Sequence, residues 1–273
     1  MITLQRFRKI DKEVQKAIEE AFDHIAANTL EHNYLLFLAE GEYKARPTNP
    51  VLRLNPYTID NREDRYKDES RLRFFIQFMK NQYGFPSGQT FIPDDEYQIT
   101  IEMMVYTHIW EAKTFLRQLY RTAELVKGAS YPWQVEVPEM SKHTYIRSNI
   151  RDVLAKKKLK LAKVISDGFH TSLRNAFAHS EYQIDMHKKQ IYLDTYKGAS
   201  WDIPWISFDD WSIRFAYSAL LSYHFLNIKA RRRKEFGTTK PKALIIHPIT
   251  SVRHFRARYI YYDQRRNSFG FHP

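Results

Sequence analysis

The segment Arg174-Asn175-Ala176-Phe177-Ala178-His179 combines side chains that could do acid–base chemistry on an anion. Imidazole is the side chain whose ordinary titration lies nearest neutrality, so His179 is of the type that takes and returns protons. A guanidinium stays cationic and can grip an oxyanion through two hydrogen bonds, which is what Arg174 brings. Asn175 adds a carboxamide. At roughly 100° per residue on a regular helix, Asp167, His170, Thr171, Arg174, Asn175, Ala178 and His179 fall within one half of the circumference. Leu161, Ile165, Phe169, Leu173 and Phe177 occupy most of the other half. The polar half is short-chained, unlike a plain Lys/Glu solvent face. Arg174 and His179, five residues apart, point about 140° apart while the helix stays regular. Bringing them together needs a distorted helix end or a second subunit.

A blander pattern fits the same residues. Arg174 would pair with Asp167, Glu181 or a carboxylate of a neighbouring helix, and His179 would cap a helix C-terminus, where the dipole favours it.

The surrounding elements follow from periodicity. Apolar residues at helical spacing predict helices over 11–40, 68–83, 96–127, 143–179 and 208–235. Asp94 or Asp95 should cap the third and Ser207 the last. Gly41, Gly128 and Gly237 are expected stops. Residues 44–66, with Pro47, Pro50 and Pro56, read as a connection. Alternation on both sides of His187-Lys188-Lys189 predicts a β-hairpin after the motif. Residues 243–247 and 255–262 read as strands. The expected fold is mainly α: a long-helix bundle, a hairpin after the motif helix and a small C-terminal β appendage. It divides into an N-terminal helical part (1–95) packed on the same core, a helical domain (96–236) and the appendage (237–273).

The string Leu173-Arg174-Asn175-Ala176-Phe177-Ala178-His179-Ser180-Glu181-Tyr182, then Ile184-Asp185 and a hairpin, resembles the signature of HEPN-domain proteins: an Arg, often a polar residue after it, and a His four to six residues on. The order of elements over 96–235 resembles that family as well. The resemblance implies a metal-independent endoribonuclease with the RNA 2′-hydroxyl as nucleophile. His179 would be general base or acid, Arg174 would hold the scissile phosphate, and Asn175 would orient either. It implies a homodimer in which paired motifs form the site, and a prokaryotic toxin or antiviral role with an antitoxin or inhibitor protein. Asp167, His170, Glu181 and Tyr182 are supporting candidates. Some HEPN-like proteins keep the fold without the chemistry, so an inactive RNA- or protein-binding module is the first rival reading.

Charge points the same way. Lys plus Arg number 43 against 31 Asp plus Glu, a formal charge of +12, and nucleic acid is the commonest polyanion met by basic soluble proteins. A basic scaffold for an acidic partner or membrane surface is the second rival. Expected RNA contacts are Lys156, Lys157, Lys158 and Lys160, then Arg231, Arg232 and Arg233, then Arg256 and Arg258, the last two among aromatics that could stack single-stranded bases. With no Cys, thiolate zinc sites and disulfides drop out. The pairs His24/Glu20 and His108/Glu111 build no three-ligand site, and no Gly-rich phosphate loop is present, so neither metal nor cofactor is expected. The sequence shows no signal peptide and no apolar run of membrane-spanning length, giving a cytoplasmic expectation with no membrane partner.

Overall fold

A computed structural model describes residues 2–44, 56–59, 88–194, 202–249 and 254–271, with parts of 70–85. The chain is mainly helical, with three small antiparallel sheets among the described residues. Helix α1 (Leu4–Asn28) starts where the Thr3 hydroxyl accepts the Arg6 N–H at 3.2 Å, and it buries Ile10, Val14, Ile18, Phe22 and Ile25. The helix expected over 11–40 is two helices. Thr29 is extended and its hydroxyl donates to the Ile25 carbonyl at 2.8 Å, which closes α1. Then α2 (Glu31–Leu38) sets off with Leu35, Leu36, Phe37 and Leu38 all buried. Strands β1 (Glu42–Tyr43) and β2 (Tyr57–Thr58) pair next to it. Most of the 44–66 connection and of the 68–83 helix lies outside the described residues. The described positions 70, 73, 74, 77, 78, 80 and 81 are helical.

The 96–127 helix also divides. Asp95 caps α3 (Glu96–Glu111), accepting the Gln98 N–H at 2.7 Å, and Ala112 adopts an extended conformation before α4 (Lys113–Val126). Gly128 closes α4 at φ +87°, a backbone region that glycine enters without penalty. The apolar period runs through Ala112 undisturbed, so only packing specifies this break.

The helix expected over 143–179 is broken most. Its first part is α5 (Lys142–Thr144), a π-helical stretch (Tyr145–Arg151) and α6 (Asp152–Lys156). Lys158, at φ +57°, turns the chain into α7 (Leu161–Gly168). Phe169 and His170 are extended, and α8 (Thr171–Ala178) follows. A Cβ on Gly168 would lie 3.0 Å from the Ser218 hydroxyl, so α7 ends against the last long helix. Buried Tyr106 serves both sides of the break. Its hydroxyl donates to the Gly168 carbonyl at 3.2 Å and accepts the His170 N–H at 2.8 Å.

The predicted hairpin is β3 (Tyr182–Asp185) and β4 (Gln190–Leu193), joined by β5 (Trp205–Ser207), a strand the alternation did not predict. Ser207 caps α9 (Phe208–Thr239), accepting the Asp210 N–H at 3.1 Å. Gly237 does not stop α9. A Cβ there would lie 2.3 Å from the Tyr262 ring, so this glycine lets the helix press on the C-terminal sheet. That sheet is β6 (Lys242–Pro248), β7 (Phe255–Asp263) and β8 (Ser268–Gly270), with β7 central.

One cluster of buried apolar side chains runs from Ile2 to Phe269 and draws on the N-terminal helices, the motif region and the C-terminal strands. Helix α9 is its axis, packing on α1, α3 and α7 through Trp211, Phe215 and Phe225. Among the described residues no helix is long and apolar enough to cross a membrane.

Candidate functional site

Helix α8 is short and amphipathic. Leu173, Ala176 and Phe177 are buried. Phe177 packs edge-on against Trp211 at 5.0 Å and Tyr182 at 5.4 Å between centroids, which anchors the motif helix and the start of the hairpin together. The helix ends in a double C-terminal closure: the Ser180 N–H donates to the Phe177 carbonyl at 3.3 Å and the Glu181 N–H to the Ala176 carbonyl at 2.8 Å. Ser180 takes φ +57° to allow it. His179 is the capping residue, at φ −104° and ψ 3°; its N–H still donates to the Asn175 carbonyl at 3.1 Å, and its side chain is exposed.

Arg174 is held before any ligand arrives. Its guanidinium forms a salt bridge to Glu111, at the C-terminus of α3, and donates to the Asn175 side-chain oxygen. The second Glu111 oxygen accepts from the Lys142 ammonium at 2.6 Å, and Lys142 is buried. One carboxylate thus ties α3, α5 and α8 together. The partner from a neighbouring helix is present, as the blander pattern has it, and His179 occupies the cap position. Two atoms beside this network remain unmatched. Arg174 Nε and Glu181 Oε2 are buried without a hydrogen-bond partner among the described residues. An unsatisfied buried group costs about 1–3 kcal/mol, so both would gain from a ligand or water.

Asp167 and His170 do not extend this site. The break at Phe169–His170 ends the wheel that placed them beside Arg174. Asp167 pairs with Lys163 on α7. His170 caps α8, its Nδ1 accepting the Ser172 N–H at 3.3 Å. Burial lowers its pKa, and Arg214 and Arg147 nearby add to that. Both residues line a separate cleft of about 490 Å3 with Arg6, Trp205, Asp210 and Arg214. Tyr182 packs on Phe177, and the Glu181 carbonyl accepts the Asp194 N–H at 3.0 Å.

The three basic groups fare differently. Lys156, Lys157 and Lys158 are exposed, whereas Lys160 approaches Glu20 at 3.6 Å. Arg231 and Arg232 pair with Glu19, and Arg232 also with Asp23. Arg233 and Lys229 close on Glu40 at 2.8 and 2.9 Å inside the core. These arginines fasten α9 to α1 and to the turn after α2. Arg256 is exposed on β7, and Arg258 stacks over Phe271 at 4.1 Å.

Glu111 and Lys142 are the site residues that spacing alone did not single out. Their only sequence signals were a carboxylate ahead of an unmarked helix break and a lysine in a loop. No protein-family model, curated protein or solved structure matches this chain.

Proposed function

We propose that this chain is a HEPN-like, metal-independent endoribonuclease with Arg174, Asn175 and His179 at its centre. The observation that carries the reading is the closure of α8 at His179, which leaves this residue exposed one turn beyond the Arg174–Asn175 pair. The RNA phosphate competes with Glu111 for Arg174 and satisfies the unmatched Nε. His179 takes the proton of the RNA 2′-hydroxyl, and the 2′-oxygen attacks phosphorus. The 5′-oxygen leaves with a proton from a second acid, giving a 2′,3′-cyclic phosphate and a 5′-hydroxyl. Arg174 meets the charge that builds on the phosphoryl oxygens.

One imidazole per motif leaves the acid to be supplied, and a second copy of the chain supplies it as its own His179. Tyr97, Ile101 and Met104 form an exposed stripe at helical spacing on α3, leading towards Glu111. Such a stripe supports a homodimer on the motif side. A toxin or antiviral effector restrained by an inhibitor protein is the biological setting that fits.

The salt bridge of Arg174 to Glu111 favours a second reading, in which the same fold binds RNA without cutting it. One comparison separates the two. The chain is incubated in EDTA with single-stranded and structured RNA, beside Arg174→Ala and His179→Ala. Cleavage to cyclic-phosphate ends, lost in both variants, supports the enzyme. RNA binding that survives both variants, with no cleavage by any of the three, removes it and leaves the binding protein. Absence of binding at low salt, where charge-driven association is strongest, removes both.

A further inference from the structure

The C-terminal sheet has one face against the bundle and one against nothing described. Antiparallel pairing puts Ala243 opposite Ile260, Ile245 opposite Arg258 and His247 opposite Arg256 on the inner face. The outer face carries Leu244 opposite Tyr259, Lys242 opposite Tyr261 and Pro248 opposite Phe255. Phe255 is 54 % exposed and Tyr259 52 %. Buried side chains would make a second core layer here, but of these only Pro248 is buried, while Leu244, Phe255 and Tyr259 stay exposed. Same-face residues two apart stand about 7 Å from each other along a strand. Tyr259 and Tyr261 therefore present rings at a repeat close to that of an extended polynucleotide backbone.

Charge on this module is one-sided. Residues 242–271 hold six Lys or Arg and a single acid, Asp263, which is engaged by Arg266 at 3.5 Å. The Lys242 ammonium lies 4.2 Å from the centroid of Tyr259 and 5.8 Å from that of Tyr261. A groove of about 460 Å3 lined by Arg256, Arg258, Tyr259, Tyr261 and Phe271 runs beside the rings. Over 255–260, β7 pairs with β6 alone, because β8 reaches only Tyr261 to Asp263. The rings thus have Lys242 beside them on the outer face, Arg256 and Arg258 across the strand along the same groove, and a β7 edge that is unpaired among the described residues.

We propose that the outer face of this sheet and the β7 edge beside it bind single-stranded RNA, with bases stacked on Phe255, Tyr259 and Tyr261 and phosphates met by Lys242 on that face and by Arg256 and Arg258, which come from the inner face and line the same groove. Every base has a face to stack, so the platform reads strandedness rather than sequence, and a duplex keeps its bases from it. The proposal builds on the ribonuclease reading by naming single strands as the substrate class. The binding itself needs no chemistry at Arg174.

The test uses the full chain carrying Arg174→Ala, so that RNA is not consumed. A fluorescein-labelled 12-nucleotide oligouridine and a duplex RNA of equal length are titrated against it by anisotropy. Tyr259→Ala with Phe255→Ala should weaken oligouridine binding at least tenfold and leave duplex binding within twofold. Tyr259→Phe, which keeps the ring, should restore most of the loss relative to Tyr259→Ala. Circular dichroism checks that the exposed substitutions leave the fold intact. Unchanged oligouridine binding in the double variant overturns the proposal. So does an equal loss for both RNAs, or a loss of self-association with RNA binding retained, which marks the face as a contact between copies. Ring-dependent binding by a wild-type chain that never cleaves keeps this proposal and removes the ribonuclease reading. Cleavage with ring-independent binding does the reverse.

Discussion

Within five residues of α9, Lys229, Arg231, Arg232 and Arg233 each end on a carboxylate of α1 or of the turn after α2. Arg256 and Arg258 of β7 stand as close together, and neither meets a carboxylate among the described residues. Read as strings, the two clusters are equal candidates for RNA. In the folded chain the first is structural, because a helix at the centre of a bundle faces acids on its neighbours. The second sits on an edge module with one acid to share. Local charge density does not reveal a nucleic-acid surface; the supply of opposite charge within reach does.

The largest effect that could break this contrast is at Glu40. Removing it strands two buried cations, so Glu40→Ala should cost about 3–5 kcal/mol in urea unfolding. RNA affinity of the folded fraction should stay put. A cost under about 1 kcal/mol would mean that the α9 cluster is not the clasp described.

Next is a buried acid of the bundle. Burial pushes Glu102 up to about 7, against hydrogen bonds from Gln98, Tyr83 and Trp211 that favour the ionised form. The unfolded carboxyl ionises near 4.5 and the folded one near 7, so between these the folded state holds more protons. Stability should fall as pH rises through that window, by about 3 kcal/mol in all at 1.36 kcal/mol per pH unit. Glu102→Gln should flatten the profile. A curve that rises over that window in wild type would refute the assignment.

The seam between the two regions comes third. Gly237→Ala drives a Cβ into the Tyr262 ring, and overpacking of this kind costs about 1–3 kcal/mol. A neutral result would show that the sheet slides on α9. The smallest effect sharpens the contrast directly. Arg256→Ala should lower the slope of log binding constant against log salt by about 1, and Arg231→Ala should leave it unchanged.

The sequence disclosed two helix starts, at Glu96 and Phe208, but not that α1 begins at Leu4 rather than Asp11. Asp95 and Ser207 cap where short polar side chains before a helical period predicted it, and the hairpin followed from alternation. It did not disclose where helices break. Ala112 and His170 carry no proline, and the apolar period continues past both, because the breaks are set by distant partners such as Tyr106 and Ser218. That is why the wheel joined Asp167 and His170 to Arg174 when the fold sends them to another cleft. The alternation of Arg256 and Arg258 with Tyr259 and Tyr261 was visible. That it sorts the rings onto an open face needed the register of β6 on β7.

The break between α7 and α8 has a consequence for how the motif behaves in time. Eight residues make about two turns, too short a helix to persist in water by itself. Its survival rests on Leu173, Ala176 and Phe177, on the Arg174–Glu111 salt bridge and on one tyrosine hydroxyl. Amides of α8 should therefore exchange with solvent through openings that leave α1 and α9 closed, a unit of low local stability inside a stable frame. A phosphate or a second copy that binds only the closed form would slow that exchange in proportion to its affinity. The motif would then report its own ligand as protection from deuterium, before any bond is cut.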